Sequence, residues 1–210
     1  MYKHIIWDFD GTLFDTYPVM AGIFERTLKE EGIEETSDQI LSHMKVSMSA
    51  TEKHYKENYA IDDHFINRFH AKRKDIEIEQ SEPFDHIAEV CRAIHQSGRK
   101  NYLYTHRGRS SIEMLKKFDL YDYFTDFITS EHGFERKPSP NALLHLSEKH
   151  QITTSEAVMI GDRDLDLLAG KHAGMDAIYF SGRPEQNEHA DHSITDFQQL
   201  LPILNLHNNK

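Results

Sequence analysis

The stretch IIWDFDGTLFDT, residues 5–16, carries the first signal of both fold and chemistry. Its apolar start predicts a short buried strand over residues 3–8. Asp8 and Asp10 come at the end of that strand, and Gly11 then lets the backbone turn sharply. Because residues two apart on an extended chain point the same way, both carboxylates can face one site. An isolated buried carboxylate is costly, so the pair predicts a metal, a cation or a catalytic task at this strand end.

The periodicity of the chain divides it into two parts. Residues 17–80 show apolar residues at helical spacing and no convincing strand, whereas strand and helix patterns alternate from residue 82 onward. Such alternation predicts a parallel sheet with helices on both faces. We therefore expect an α/β fold with a Rossmann-like parallel sheet core at residues 1–15 and 82–210, and an inserted all-helical cap at 16–81. The further predicted strands are 101–105, 124–130, 156–162, 176–180 and 192–195.

Composition narrows the class of protein. The 210 residues are 38 % hydrophobic and 28 % charged, as in folded globular proteins. The net charge of -11 argues against nucleic acid as a partner, because binding phosphate backbones needs clustered Lys and Arg. No stretch approaches the roughly 18 apolar residues of a membrane helix. The single cysteine, Cys91, excludes an internal disulfide, and we expect a cytoplasmic protein without a membrane partner.

Four short stretches fall at predicted carboxyl ends of strands, where ligands bind in open α/β sheets. The chemistry that fits them is phosphoryl transfer with a carboxylate nucleophile. Asp8 would attack phosphorus and form an aspartyl-phosphate, while Asp10 would protonate the leaving alcohol and later deprotonate water. The four stretches are DFDGT at 8–12, YTHRG at 104–108, RKPSP at 136–140 and GDRDLD at 161–166.

A carboxylate that attacks a phosphate dianion meets like-charge repulsion, so cations are needed beside it. Asp162, with help from Asp166, would hold a hard cation, for which Mg²⁺ is the expected cofactor. This ion and Lys137 would neutralise charge on the phosphoryl oxygens. Thr105 could donate a hydrogen bond to one of those oxygens.

At these four stretches the sequence resembles the haloacid dehalogenase-like (HAD) phosphohydrolases. It is similar to the helical-cap subgroup that includes phosphoglycolate phosphatase-like and β-phosphoglucomutase-like enzymes. DFDGTLFD matches the first motif, YTHRG the second, Lys137 in KPSP the third and GDRDLD the fourth. The resemblance implies a metal held by the Asp8 side chain, the backbone carbonyl of Asp10 and Asp162, with Asp166 in or near the surrounding shell.

The presence of Asp10 narrows the reaction that the resemblance implies. Dehalogenases of the family lack an aspartate two residues after the nucleophile, because a halide leaving group needs no proton. Relatives often carry Asn after the second-motif Ser or Thr, whereas this chain has His106. His106 and Arg107 are therefore candidate contacts of the substrate phosphate. Residues 42–49 fall where relatives place a cap loop facing the active site, which makes Lys45 and Ser47 substrate-binding candidates.

The leading hypothesis is a Mg²⁺-dependent phosphatase acting on a small phosphorylated metabolite, as a monomer or weak homodimer. Its nearest alternative is a phosphomutase of the β-phosphoglucomutase kind, which would need a specific sugar-binding cap. A third reading is a non-catalytic binding protein that keeps the fold. Such a protein could lose an essential carboxylate, yet all the expected ones are present.

Overall fold

The computed structural model describes residues 1–206, apart from the side chain of Asp75. The chain forms two compact units. One consists of Met1–Phe14 and Pro83–Lys210, and the other is Asp15–Glu82. We refer to them as the core unit and the cap unit.

The cap unit is helical throughout. Its helices are α1 (Tyr17–Glu30), α2 (Ser37–Val46), α3 (Met48–Asn58) and α4 (Asp63–Gln80). Polar side chains cap three of them: Thr36 accepts a hydrogen bond from the Gln39 N–H ahead of α2, Ser47 caps α3, and Asp62 accepts one from the Phe65 N–H ahead of α4. At the centre of the unit Phe24 packs against the rings of Tyr55, Phe65 and Phe69, with centroids about 5 Å apart.

The core unit is built on a six-stranded sheet whose strand pairs are all parallel. The strands lie in the order β3-β2-β1-β4-β5-β6, so that β1 is flanked by β2 and β4. Their apolar runs are buried, as in sheets covered on both faces. The strands are β1 (His4–Trp7), β2 (Lys100–Tyr104), β3 (Phe124–Ile128), β4 (Ala157–Gly161), β5 (Asp176–Phe180) and β6 (His192–Ile194).

The register of the sheet brings three strand ends level. Trp7, the last residue of β1, lies opposite Leu103 of β2 and Ile160 of β4. The strand order also reverses direction at β1 and β4, which is where open α/β sheets bind ligands. The predicted fold class, a Rossmann-like α/β core with an all-helical cap, is confirmed.

Helices connect the strands of the core unit and close the chain. They are α5 (Ile87–Gln96), α6 (Ser110–Lys117), α7 (Asn141–His150), α8 (Asp164–His172) and α9 (Leu200–Ile203). The stretch SPNALLHLSEKH predicts a helix with Pro140 in its first turn, and in the structure Pro140 lies immediately before α7, one position outside the helix.

The stretch DFQQLLPIL predicts a final helix over residues 196–204, and the observed helix is shorter. Asp196 accepts a hydrogen bond from Gln198 and draws Phe197–Gln199 into a 3₁₀ turn, which leaves a single α-helical turn in α9. Within residues 1–206, no helix combines the length and apolar character that crossing a bilayer requires.

Asp126 gives the core unit a pH-dependent contribution to stability. Its Oδ2 accepts hydrogen bonds from His150 at 2.6 Å and Lys149 at 2.7 Å. Burial raises the pKa of Asp126, but these two partners outweigh burial and hold its pKa below the ordinary value. The stabilisation is therefore present above the unfolded-state pKa, about 3.9, and is lost as pH falls through the lower folded-state pKa.

We expect Asp126→Asn to lower the free energy of unfolding by about 1 kcal/mol at pH 7. The difference from wild type should shrink as the pH falls below about 4 and approach zero only below the lowered folded-state pKa of Asp126, where the wild-type carboxyl is also neutral. Urea unfolding at a series of pH values measures this. Asp122→Asn, at an exposed neighbouring aspartate, is the matched control. A deficit that persisted unchanged at low pH would contradict the assignment.

Candidate active site

A buried lysine joins two buried aspartates at the carboxyl end of the sheet. Asp8 follows β1, Asp166 lies in the first turn of α8, and Lys137 comes from the segment between β3 and α7. Lys137 Nζ donates to Asp8 Oδ1 at 2.5 Å and to Asp166 Oδ1 at 2.8 Å. The side chains of Lys137, Asp8 and Asp166 are 0 %, 2 % and 0 % exposed. The sequence-predicted nucleophile and lysine are thus in direct contact.

Burial and charge set the protonation of this cluster. Burial and the Asp166 carboxylate raise the pKa of Asp8 to about 6, against the opposing effect of Lys137. Burial also acts to raise the pKa of Asp166, but Lys137 and Arg163 outweigh it and hold that pKa below the ordinary value. Burial acts to lower the pKa of Lys137, but the two carboxylates raise it on balance. Near neutral pH the cluster therefore contains an ammonium between two carboxylates.

Three carboxylates are close enough to share a metal ion. One carboxylate oxygen from each of Asp8, Asp162 and Asp166 lies within 4.8 Å of the others. Asp8 Oδ2 is buried and has no hydrogen-bond partner, which is unusual for a carboxylate oxygen. A donor set made only of carboxylate oxygens suits a hard divalent cation. The Asp10 carboxylate is outside this group, and the metal contact expected of Asp10 is through its backbone carbonyl.

Residues around the carboxylates fix their positions. A Cβ atom at Gly161 would lie 2.2 Å from Asp166 Cβ, so only glycine leaves room for that aspartate. The Arg163 backbone N–H donates to Asp166 Oδ2 at 3.2 Å, at the start of α8, where negative charge is favourable. Thr12 Oγ1 donates to Asp162 Oδ1 at 3.3 Å. Sequence reasoning missed this role of Thr12, although the residue belongs to the DFDGT stretch.

Asp10 is held by Arg107. Arg107 Nε lies 3.1 Å and 3.3 Å from the two carboxylate oxygens of Asp10, and Nη2 lies 2.5 Å from Oδ1. The guanidinium also lies over the ring of Phe9, 5.5 Å from its centroid. Arg107 was expected to contact substrate phosphate; the structure brings it to the proposed proton donor. The sequence contains no spacing signal for this pair, since the two residues are 97 positions apart.

Thr105 and His106 make contacts within the same edge of the sheet. The Arg107 backbone N–H donates to Thr105 Oγ1 at 3.0 Å, which leaves the hydroxyl hydrogen of Thr105 available for donation. The Lys137 backbone N–H donates to His106 Nε2 at 2.9 Å. His106 therefore contacts the backbone of Lys137 directly, and Thr105 precedes it at the end of β2.

The two cap candidates lie at the junction of α2 and α3. Residues 42–49 are helical on both sides of Ser47, so the expectation of a loop there is wrong. The physical reason is that Ser47 caps α3: its Oγ accepts the Ala50 N–H at 3.0 Å. Lys45 is exposed in the last turn of α2, and its charge opposes the rise that burial causes in the pKa of Asp15, the first residue of the cap unit.

The chain is similar to known proteins over most of its length. Residues 5–180 match the family model described as haloacid dehalogenase-like hydrolase. A phosphoglycolate phosphatase of Vibrio vulnificus (strain YJ016) is 27 % identical over 226 residues and is covered to 96 %, as is this chain. A protein named as a candidate pyrophosphatase of Clostridium perfringens (strain 13 / Type A) is 27 % identical over 176 residues, which cover 83 % of this chain and 81 % of the relative.

A solved structure shows the same fold. The crystal structure of a candidate beta-phosphoglucomutase from Thermotoga maritima has a TM-score of 0.80 at 22 % identity, covering 98 % of this chain and 99 % of the other. The α/β fold and the buried aspartate site are those of a hydrolase. The chain belongs to the haloacid dehalogenase-like hydrolase family, and within it the chain is a phosphatase.

The cluster of Asp8, Asp162 and Asp166 predicts that a bound metal ion stabilises the folded protein. Mg²⁺ at about 100 times its dissociation constant should raise the melting temperature by roughly 5–10 °C relative to chelator. Asp162→Asn should lose most of this shift, because it removes a ligand from the group. Asp164→Asn is the matched control, since Asp164 is exposed and hydrogen-bonded by Asn187. Differential scanning fluorimetry measures the shift; an undiminished shift in Asp162→Asn would contradict the metal assignment.

Proposed function

We propose that the chain is a Mg²⁺-dependent phosphatase that hydrolyses a small phosphorylated metabolite through an aspartyl-phosphate on Asp8. The observation that supports this most is the state of the Asp8 carboxylate. Lys137 holds Oδ1, while Oδ2 is buried and has no hydrogen-bond partner. A carboxylate oriented through one oxygen keeps the other for attack on phosphorus.

In the first half of the proposed reaction Asp8 attacks the phosphate ester. A bond forms between Asp8 and phosphorus, and the bond between phosphorus and the ester oxygen breaks. Asp10 gives its proton to that oxygen, so the product leaves as a neutral alcohol. In the second half Asp10 takes a proton from water, which attacks phosphorus, releases phosphate and restores Asp8. Arg107 holds Asp10 in place through its fork of N–H donors.

The charges of the core unit support a metal requirement. Asp8, Asp162 and Asp166 supply three negative charges, and the neighbouring Lys137 and Arg163 supply two positive ones. A phosphate dianion would meet net repulsion among these groups. Asp8, Asp162 and Asp166, with the Asp10 carbonyl, would hold Mg²⁺, which when bound offsets this repulsion. Lys137 and the Thr105 hydroxyl are proposed to bind phosphoryl oxygens.

The proposed substrate class is a small phosphate ester. The relatives named phosphoglycolate phosphatase and pyrophosphatase support this class and suggest phosphoglycolate and inorganic pyrophosphate as first compounds to test. Lys45 is proposed to pair with a second anionic group of the substrate, and Ser47 to donate its remaining hydroxyl hydrogen. We propose that the protein acts in the cytoplasm as a monomer or weak homodimer, without nucleic acid or membrane.

Phosphate release from a panel of esters tests the proposal. The panel contains phosphoglycolate, inorganic pyrophosphate, glycerol phosphate, a hexose phosphate and p-nitrophenyl phosphate, each with Mg²⁺ and with chelator. Asp8→Asn should lose at least about 10³-fold in kcat, because the nucleophile is gone. Asp164→Asn should retain wild-type activity.

Two results would contradict the proposal. Undiminished turnover in Asp8→Asn would exclude Asp8 as the nucleophile. Conversion of the hexose phosphate to an isomer without free phosphate would establish a phosphomutase instead.

A further inference from the structure

His106 makes a contact that a phosphate-binding residue would not need. Its Nε2 lies 2.9 Å from the backbone nitrogen of Lys137 and accepts that N–H. The residue follows Thr105 at the end of β2, and its ring meets Tyr104 edge-on, with centroids 6.1 Å apart and an interplanar angle of 78°. His106 is thus hydrogen-bonded to the backbone of Lys137 and packs against Tyr104 of β2.

The imidazole of His106 is neutral near physiological pH. A ring nitrogen that accepts a hydrogen bond carries no proton, so the single ring proton lies on Nδ1. Burial, together with the positive charges of Lys137 and Arg136, lowers the pKa of His106 to about 3, although Asp166 acts in the opposite direction and Arg163 adds to the lowering. A neutral imidazole adds no positive charge to a phosphate site.

The side chain of Lys137 depends on the same local structure. Its ammonium lies over the ring of Tyr104, 4.6 Å from the centroid, and reaches both Asp8 and Asp166. His106 and Tyr104 therefore hold the two ends of one residue: His106 binds its backbone nitrogen, and Tyr104 supports its charged group. A shift of this backbone would carry the ammonium away from Asp8.

We infer that His106 is a positioning residue that acts through Lys137, and not a direct ligand of the substrate phosphate. Its neutral ring fixes the backbone of Lys137, so that the ammonium stays beside the Asp8 nucleophile and the phosphoryl oxygens. This inference rests on the proposed phosphatase reaction for its kinetic consequences, while the contact itself is independent of that reaction.

The kinetic test separates positioning from direct binding. His106→Ala removes the acceptor and should lower kcat by about 10–100-fold, the range seen when a supporting hydrogen bond behind a functional group is lost. KM for the fastest ester of the panel should change by less than about threefold. His106→Gln places a side-chain carbonyl oxygen where Nε2 lies, so it can accept the same N–H and should restore kcat to within about fivefold of wild type.

Two controls keep this test specific. His192→Ala, at an exposed position on β6, should leave kcat unchanged. Thermal unfolding of each variant shows whether it is folded at the assay temperature. Loss of activity in His106→Gln equal to that in His106→Ala, or an effect of His106→Ala confined to KM, would overturn the inference.

Nitrogen NMR of the histidine side chains tests the contact without any substrate. The ring of His106, assigned by its absence in His106→Gln, should show the neutral form with the proton on Nδ1 from pH 7 down to pH 5. A ring that gains its second proton in this range, or that carries its proton on Nε2, would overturn the inference. If no ester is hydrolysed, the proposed function fails, and the NMR measurement alone then tests whether His106 Nε2 accepts the Lys137 N–H.

Discussion

Lys137, placed between Asp8 and Asp166 out of contact with water, is the interaction on which the rest of the site depends. Transferring each of these charges from water into the protein costs several kcal/mol, and only close pairing offsets that cost. The ammonium lies within 2.8 Å of both carboxylates and so ties the segment before α7 to the end of β1 and the start of α8. Thr12, Gly161, Arg163 and His106 then fix the carboxylates and the lysine around it.

Much of the fold could be predicted from the sequence, because its parallel strands are short apolar runs bounded by polar residues. The strand predicted over residues 176–180 matches β5, and the all-helical character of the cap followed from helical spacing alone. Errors lie at segment ends, where one polar side chain changes the local structure. Asp196 draws the start of the last helix into a 3₁₀ turn, and Ser47 begins α3 where a loop was expected. The spacing of apolar residues does not show either effect.

The site was only partly predictable for a different reason. Strand-end positions indicated which carboxylates would converge, and the structure brings Asp8, Asp162 and Asp166 together with Lys137 beside them. The contacts of Arg107 and His106 depend on how their side chains are oriented toward segments that are distant in the sequence. Arg107 turns to Asp10, and His106 turns to a backbone nitrogen 31 positions away. No spacing rule encodes such contacts, so the partners of Arg107 and His106 could not be predicted from the sequence.

The central claim, that Asp8 carries the phosphoryl group during turnover, is tested most directly by trapping it. The enzyme is mixed with the fastest ester and Mg²⁺, quenched in acid within one turnover, digested and analysed by mass spectrometry. The account predicts a phosphorylated peptide containing residues 5–16, with the phosphoryl group on Asp8 and absent from Asp8→Asn. A phosphoryl group on another residue, or hydrolysis without any phosphorylated peptide at quench times that capture turnover, would contradict it.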